Sequence, residues 1–258
     1  MASPDLTPVE EAIDHLVARA RPITHSQTVT LANSLNRVLA RDYTVPADVP
    51  PADNSAVDGY AVRAGDLAGG GPLPVSGRTA AGEERLTLKP GTAVRLFTGS
   101  EIPSGADAVI MQERVSVCGD GITVNGPVSE GQNIRRRGQD LAQGELALAA
   151  GTRIRPQEMG LLGSIGTADV AVYAKLKVAV LTTGDELVDP GQPLGPGQIY
   201  NSNRYTLLGL LAKAGCEVVL CEALKDARDA TRSTLERAAT EADLIITSGG
   251  VSVGEEDH

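Results

Sequence analysis

Between residues 7 and 20 the apolar side chains Val9, Ile13, Leu16, Val17 and Ala20 recur at helical spacing and form one stripe. Thr7 is placed to cap this segment, Pro8 suits the first helical position, and Glu10 completes a capping box, so a helix over 7–20 is predicted. A short strand near residues 28–31 and a helix over 34–40 are predicted next. From residue 43 the helical period disappears. Short alternating runs, such as Ala93-Val94-Arg95-Leu96-Phe97 and Ala108-Val109-Ile110-Met111, are separated by the turn formers Lys89-Pro90-Gly91, Pro103-Ser104-Gly105 and Cys118-Gly119-Asp120-Gly121. That pattern predicts a small β-rich, barrel-like domain. A helix over 155–164, opened by Pro156, follows.

At Lys177 the pattern changes again. Val178-Ala179-Val180-Leu181 is a continuous apolar run, as expected of a strand buried on both faces. A helix over 204–214, a strand over 217–220, a helix over 229–241 and a strand over 243–247 complete a βαβαβ series, hence a parallel sheet with right-handed crossovers. Ligands bind at the C-terminal ends of such strands. Two loops fall there: Thr182-Thr183-Gly184-Asp185-Glu186, and the glycine-rich residues 248–254. A glycine-rich loop after a strand ordinarily leads into a helix, so the sequence reads as cut inside its last domain.

Composition narrows the function classes. The 258 residues fit one large or two small domains. No apolar run approaches the roughly 20 residues of a membrane span, and no basic-then-apolar leader is present, so a cytoplasmic protein without membrane contact is expected. The net charge of −10 argues against a broad nucleic-acid surface, and with no Trp and one Phe stacking platforms are scarce. Cys118, Cys216 and Cys221 have no metal-ligand spacing and read as buried reduced thiols; His15, His25 and His258 are too scattered for a zinc site or triad.

Four features could carry chemistry. The stretch 53–61 (DNSAVDGYA) packs two carboxylates, an amide and a hydroxyl into six residues; a polar turn would account for one or two of them. Residues 133–140 (NIRRRGQD) hold three consecutive arginines in an acidic chain; their planar guanidinium forks suit phosphate and other oxyanions, and a solvated surface run is the alternative. Thr98-Gly99 ends the strand carrying Phe97 and is either a ligand-approaching hydroxyl or a plain turn. The loop 248–254 offers backbone amides and two hydroxyls but matches neither GxGxxG nor the Walker pattern. Asp185, Glu186, Asp226 and Asp257 lie at or just beyond strand ends, where carboxylates could gather round Mg²⁺, although helix capping or solvation explains any one of them. No nucleophile–base pair is evident, so a metal-assisted reaction on a phosphorylated substrate fits best.

Taken together these stretches resemble the molybdopterin molybdenumtransferase family, bacterial MoeA and the C-terminal domain of gephyrin. The resemblance rests on PADNSAVDGYA (51–61), RLFTG (95–99), AVIMQE (108–113), NIRRRGQD (133–140), LTTGDE (181–186), GQPLGPGQIYNSN (191–203) and SGGVSVGEED (248–257), in that order. It implies a fold of α/β plus β class: an incomplete three-layer parallel-sheet molybdopterin-binding domain over 176–258, with the 7–20 helix packed on it. A β-rich domain over 44–146 and a small connecting domain from 21–43 and 147–172 complete it. The implied reaction inserts molybdate into adenylyl-molybdopterin with release of AMP, with Mg²⁺, in a homodimer that the molybdopterin adenylyltransferase could serve. Carried over by motif, Asp58, Thr98, Asp140 and Glu186 are catalytic. Asn54, Ser55, Arg135, Arg136, Arg137, Ser248, Gly249, Gly250 and Ser252 bind substrate, and Asp226 and Asp257 hold the metal. The family continues past residue 257, so these 258 residues are expected to be inactive alone. The alternatives are an adenylyl transferase or nucleotide hydrolase on the same molybdopterin-binding domain, or a gephyrin-like scaffold.

Overall fold

A computed structural model describes residues 7–224 and 228–249. The chain divides into two compact units, one of residues Met1–Arg41, Gly151–Met159 and Asp169–His258, the other of Asp42–Ala150 and Gly160–Ala168. Both are therefore built from separated stretches of sequence. Among the described residues no helix is long and apolar enough to cross a membrane.

The second unit centres on six strands. Their order is Ala108–Met111, Gly59–Val62, Ala93–Leu96, Leu73–Thr79, Gly121–Val124, Val115–Cys118. Leu73–Thr79 runs parallel to Ala93–Leu96, and the other neighbours are antiparallel. Alternate residues feed two cores. Ala61, Val94, Leu96 and Val109 pack with Leu88 and Ile102, while Val62, Ala93, Ala108 and Ile110 pack with Leu73 and Ile122. Cores on both faces explain why residues 108–110 are apolar without interruption. The centre is also tight: a Cβ on Gly59 would lie 2.0 Å from the Ile110 carbonyl oxygen, so only glycine fits there.

In the first unit the strand Lys177–Thr183 lies between Glu217–Leu224 and Leu244–Ser248, parallel to both. Val178, Ala179, Val180 and Leu181 are fully buried. Val178 and Val180 meet Leu211 of the helix Ser202–Ala214, with Leu207, Val218 and Ile246 around them. The first strand is central: the chain passes from it to Glu217–Leu224 and then crosses back to Leu244–Ser248 on its other side, the kind of switch in strand order at which a crevice opens at the carboxyl ends. The expected series of strands and helices is present, with ends shifted by a few residues.

Three local expectations differ from the structure. Residues 34–40 are not a helix. Asn36 takes a left-handed φ of 63°, and the Leu39 N–H donates to the Thr152 carbonyl at 2.9 Å instead of turning back on its own segment. Val38 and Leu39 form bridges to Arg153 and Val172, and Leu39 is fully buried, so burial against distant chain overrides the local helical pattern. The first helix spans Val9–Arg19 with Pro8 as its cap and no side-chain capping bond, so Thr7 stands one residue too early to close the box. Its apolar face is open: Val9, Ile13, Leu16 and Val17 are exposed. Leu16, Arg19 and Ala20 nonetheless line a cavity together with Asp243 and Leu244 at the sheet's edge strand. The three thiols are free, but Cys118 is exposed, near the end of the outermost strand, and Cys216 and Cys221 are only half-buried.

Candidate functional site

In the β-rich unit residues 53–58 approach the Gly59–Val62 strand and are tied down from two sides. Ser55, almost fully buried, donates its hydroxyl to the Val57 carbonyl at 2.6 Å. Its backbone N–H reaches Ser100 O at 2.9 Å, and its carbonyl accepts from Gly99 N at 2.9 Å. Asn54–Ser55 also pairs with Ile134–Arg135, with Asn54 opposite Arg135. Asn54 Oδ1 is buried without a hydrogen-bond partner among the described residues, an acceptor of the kind a ligand donor would satisfy.

That frame brings Asp58 and Thr98 together. Asp58 Oδ1 accepts from the Thr98 backbone N–H at 2.8 Å and from its hydroxyl at 2.7 Å. The N–H first, then the hydroxyl, and the charge of Arg95 more weakly, hold the Asp58 carboxyl below its ordinary range, against a push upward from desolvation. Arg95, which the sequence reading passed over, is fixed by Gly59 O at 3.1 Å and Gln112 Oε1 at 2.6 Å.

Asp140 is bonded to Arg135 rather than to Asp58 or Thr98. The whole arginine tract is engaged in this way. Arg136 Nη1 meets Asp53 Oδ2 at 2.7 Å, and Arg137 donates its backbone N–H to Asp53 Oδ1 at 2.8 Å and its Nε to Asp48. The Arg137 N–H, then the Arg136 guanidinium, hold the Asp53 carboxyl down. The Gln143 N–H, then Arg137, do the same for Asp48. Each guanidinium of the tract therefore has a carboxylate of its own, and the tract ties residues 135–140 to 48–53.

The parallel-sheet unit offers a second constellation. At the carboxyl ends of its strands a cavity of about 190 Å³ is lined by Thr183, Glu186, Asn201, Asn203, Ser248 and Gly249, among others. Asn201, 2% exposed, donates Nδ2 to Thr182 Oγ1 at 2.8 Å and caps the helix Ser202–Ala214 by accepting from Arg204 N at 3.2 Å. Asn203 Nδ2 donates to Ser248 Oγ at 3.0 Å, and among the described residues the Ser248 hydroxyl has no acceptor for its own proton. Gly249 has φ 96°, and a Cβ there would meet Thr183 Oγ1 at 2.6 Å, so backbone alone fills the position. Thr183 Oγ1 is buried without a partner among the described residues. The Glu186 carboxylate lies over Gly184, where a Cβ would stand 2.4 Å from Glu186 Oε2.

The structure thus gathers Glu186, Ser248 and Gly249 in one cavity. Gly250, Ser252, Asp226 and Asp257 lie outside the described residues. Among the described residues no group of three or more His, Cys, Asp or Glu is placed to hold a metal. The Glu186 carboxylate and the Thr183 and Ser248 hydroxyls are hard oxygen donors, a set compatible with Mg²⁺. Asn201 and Asn203 are not singled out from sequence, and Thr183 appears there only as a member of the loop 182–186. The available signal was Asn201-Ser202 just ahead of an apolar-periodic segment, a helix-start signature.

Residues 7–166 match the family described as "MoeA N-terminal region (domain I and II)", and residues 179–258 match one described as "Probable molybdopterin binding domain". A molybdopterin molybdenumtransferase of Haemophilus influenzae is 46% identical over 238 residues, covering 91% of this chain and 58% of that protein. Molybdopterin molybdenumtransferase 2 of Mycobacterium tuberculosis is 39% identical over 251 residues, covering 95% of this chain and 61% of the relative. The chain therefore spans about three fifths of the length of these relatives. A crystal structure of the molybdopterin biosynthesis moeA protein from Pyrococcus horikoshii superposes with a TM-score of 0.86 at 37% identity, over 95% of this chain and 67% of that one. The α/β plus β-rich architecture is that of this solved structure, and the match over residues 7–166 covers more than half of the sequence: the chain belongs to the MoeA family.

Proposed function

We propose that this chain binds adenylyl-molybdopterin and serves the insertion of molybdate into it with release of AMP, the work of a molybdopterin molybdenumtransferase in molybdenum cofactor biosynthesis. The observation that carries the reading is the cavity at the carboxyl ends of the parallel sheet, where Glu186, Ser248 and Gly249 meet the N-terminus of the Ser202–Ala214 helix. The first-turn amides of that helix, its positive dipole end and the free Ser248 proton suit an anionic ligand. Gly249 lets the ligand come against backbone. In the β-rich unit the hydrogen bonds from Thr98, with the charge of Arg95, hold the Asp58 carboxyl below its ordinary range, which suits a carboxylate that holds a cation or orients a ligand.

Mg²⁺ belongs to the same proposal: Asp226 and Asp257 would hold it, and it would supply charge neutralisation for the phosphate of the substrate. So do a homodimeric, cytoplasmic enzyme and a supply of substrate by the adenylyltransferase. The division into a connecting domain of 21–43 and 147–172, with the first helix on the sheet domain, is likewise proposed.

The test measures adenylyl-molybdopterin binding and AMP release by this chain beside a full-length relative. Binding by this chain, lost in Glu186→Gln, supports the reading. An absence of binding in this chain under conditions where the relative turns over refutes it.

A further inference from the structure

Arg78 and Arg95 stand directly opposite each other on the adjacent strands Leu73–Thr79 and Ala93–Leu96. Like charges in that register repel. Both guanidinium carbons lie 4.7 Å from the centroid of the Phe97 ring, and Arg95 is also 5.1 Å from the Tyr60 centroid. Each lies 4.7 Å from the same point, so the two cations are within about 9.4 Å of one another. The next residue is Thr98, which carries Asp58.

Stacking leaves the in-plane N–H edges of a guanidinium pointing outward, the geometry that grips an oxyanion. Arg95 is held in place through Nη1 by Gly59 and through Nη2 by Gln112, whereas Arg78 is exposed and lies over the ring with no ion pair among the described residues. Neither has a carboxylate partner among the described residues. The Asp58 carboxyl feels the charge of Arg95 but is hydrogen-bonded to Thr98, and Glu113 accepts from Gln112. Arg135, Arg136 and Arg137, by contrast, are each ion-paired with an aspartate.

We infer that Arg78 and Arg95, stacked on Phe97, form the oxyanion-binding site of the β-rich unit, for a tetrahedral oxyanion such as a phosphate ester or molybdate. The arginine tract is then a structural tie. The inference deepens the proposed function, on which it rests for the identity of the oxyanion.

The test is titration calorimetry of the 258-residue chain with inorganic molybdate, inorganic phosphate and AMP, each alone. A hydrogen-bonded charge contact supports about a tenfold or larger change in affinity. Arg78→Gln, at an exposed position that leaves the fold intact, should weaken one binding equivalent by that factor, and Arg95→Lys should do the same by removing the fork but not the charge. Arg136→Gln should leave that equivalent unchanged. Response to AMP and phosphate alone identifies a phosphate-ester site, and response to molybdate identifies a metal-oxyanion site; both support the inference. Unchanged binding in Arg78→Gln, a larger loss in Arg136→Gln, or no oxyanion binding by the chain overturns it. Binding of adenylyl-molybdopterin lost in Glu186→Gln would meanwhile keep the proposed function standing.

Discussion

Asn201 joins the fold to the cavity, and replacing it by alanine should be costly in a calculable way. The side chain does two things at once: its oxygen caps the helix Ser202–Ala214, and its Nδ2 donates to Thr182 Oγ1 at 2.8 Å. Loss of an N-cap costs about 1 kcal/mol. Thr182 is 1% exposed, and its hydroxyl has only a 3.5 Å approach to Glu222 O in reserve. Leaving that buried hydroxyl poorly satisfied adds about 1–2 kcal/mol. The expected loss in Asn201→Ala is therefore roughly 2–3 kcal/mol. Asn201→Asp keeps the capping oxygen and suits the helix dipole, so it should lose less. With two units in the chain a single global unfolding curve is a poor reporter. Hydrogen exchange of amides in residues 202–214, read by mass spectrometry, localises the effect, and a double-mutant cycle with Thr182→Val should return a coupling of about 0.5–1.5 kcal/mol. Protection within about 0.5 kcal/mol of wild type in Asn201→Ala, the range of an ordinary surface change, would refute this account of the helix start.

Two further outcomes are expected. In Asp58→Asn the amide oxygen still accepts both Thr98 bonds while the charge is gone, so AMP release by the form that turns over should fall by most of its value with no shift in thermal midpoint; normal turnover would end the case for Asp58 in the site. Glu158 is held at a pKa of about 2, below the usual 4.5, chiefly by the Arg155 side chain, whose Nη2 approaches to 2.6 Å. A depressed carboxyl contributes stability that is fully present above about 4.5 and is lost as pH falls toward 2, so Glu158→Gln should flatten the stability–pH curve within that window and nowhere above it.

The sequence by itself determined the elements whose information is local. The run Val178–Leu181 reads as a strand covered on both faces, and the alternation of helices and strands after it points to a parallel sheet whose carboxyl ends carry Glu186 and Ser248. The dense polar stretch around Asp58 and the isolated Thr98-Gly99 were legible as candidates from residue type alone. What they bind to each other was not, because Asp58 and Thr98 are 40 residues apart and meet through the pairing of Gly59–Val62 with Ala93–Leu96 and the backbone bonds that Ser55 exchanges with Gly99 and Ser100. Tertiary structure decided the remainder for the same reason. Residues 34–40 carry a helical pattern, yet the partners of Val38 and Leu39 are Arg153 and Val172, more than 100 positions away, and burying Leu39 there outweighs a propensity worth tenths of a kcal/mol per residue. Two of the three carboxylates that pair with the arginine tract, Asp48 and Asp53, lie more than 80 residues upstream, so the local sequence shows the three positive charges with only Asp140 beside them. Charge in a sequence is counted residue by residue; charge in a site depends on which opposite groups the fold brings within hydrogen-bond reach.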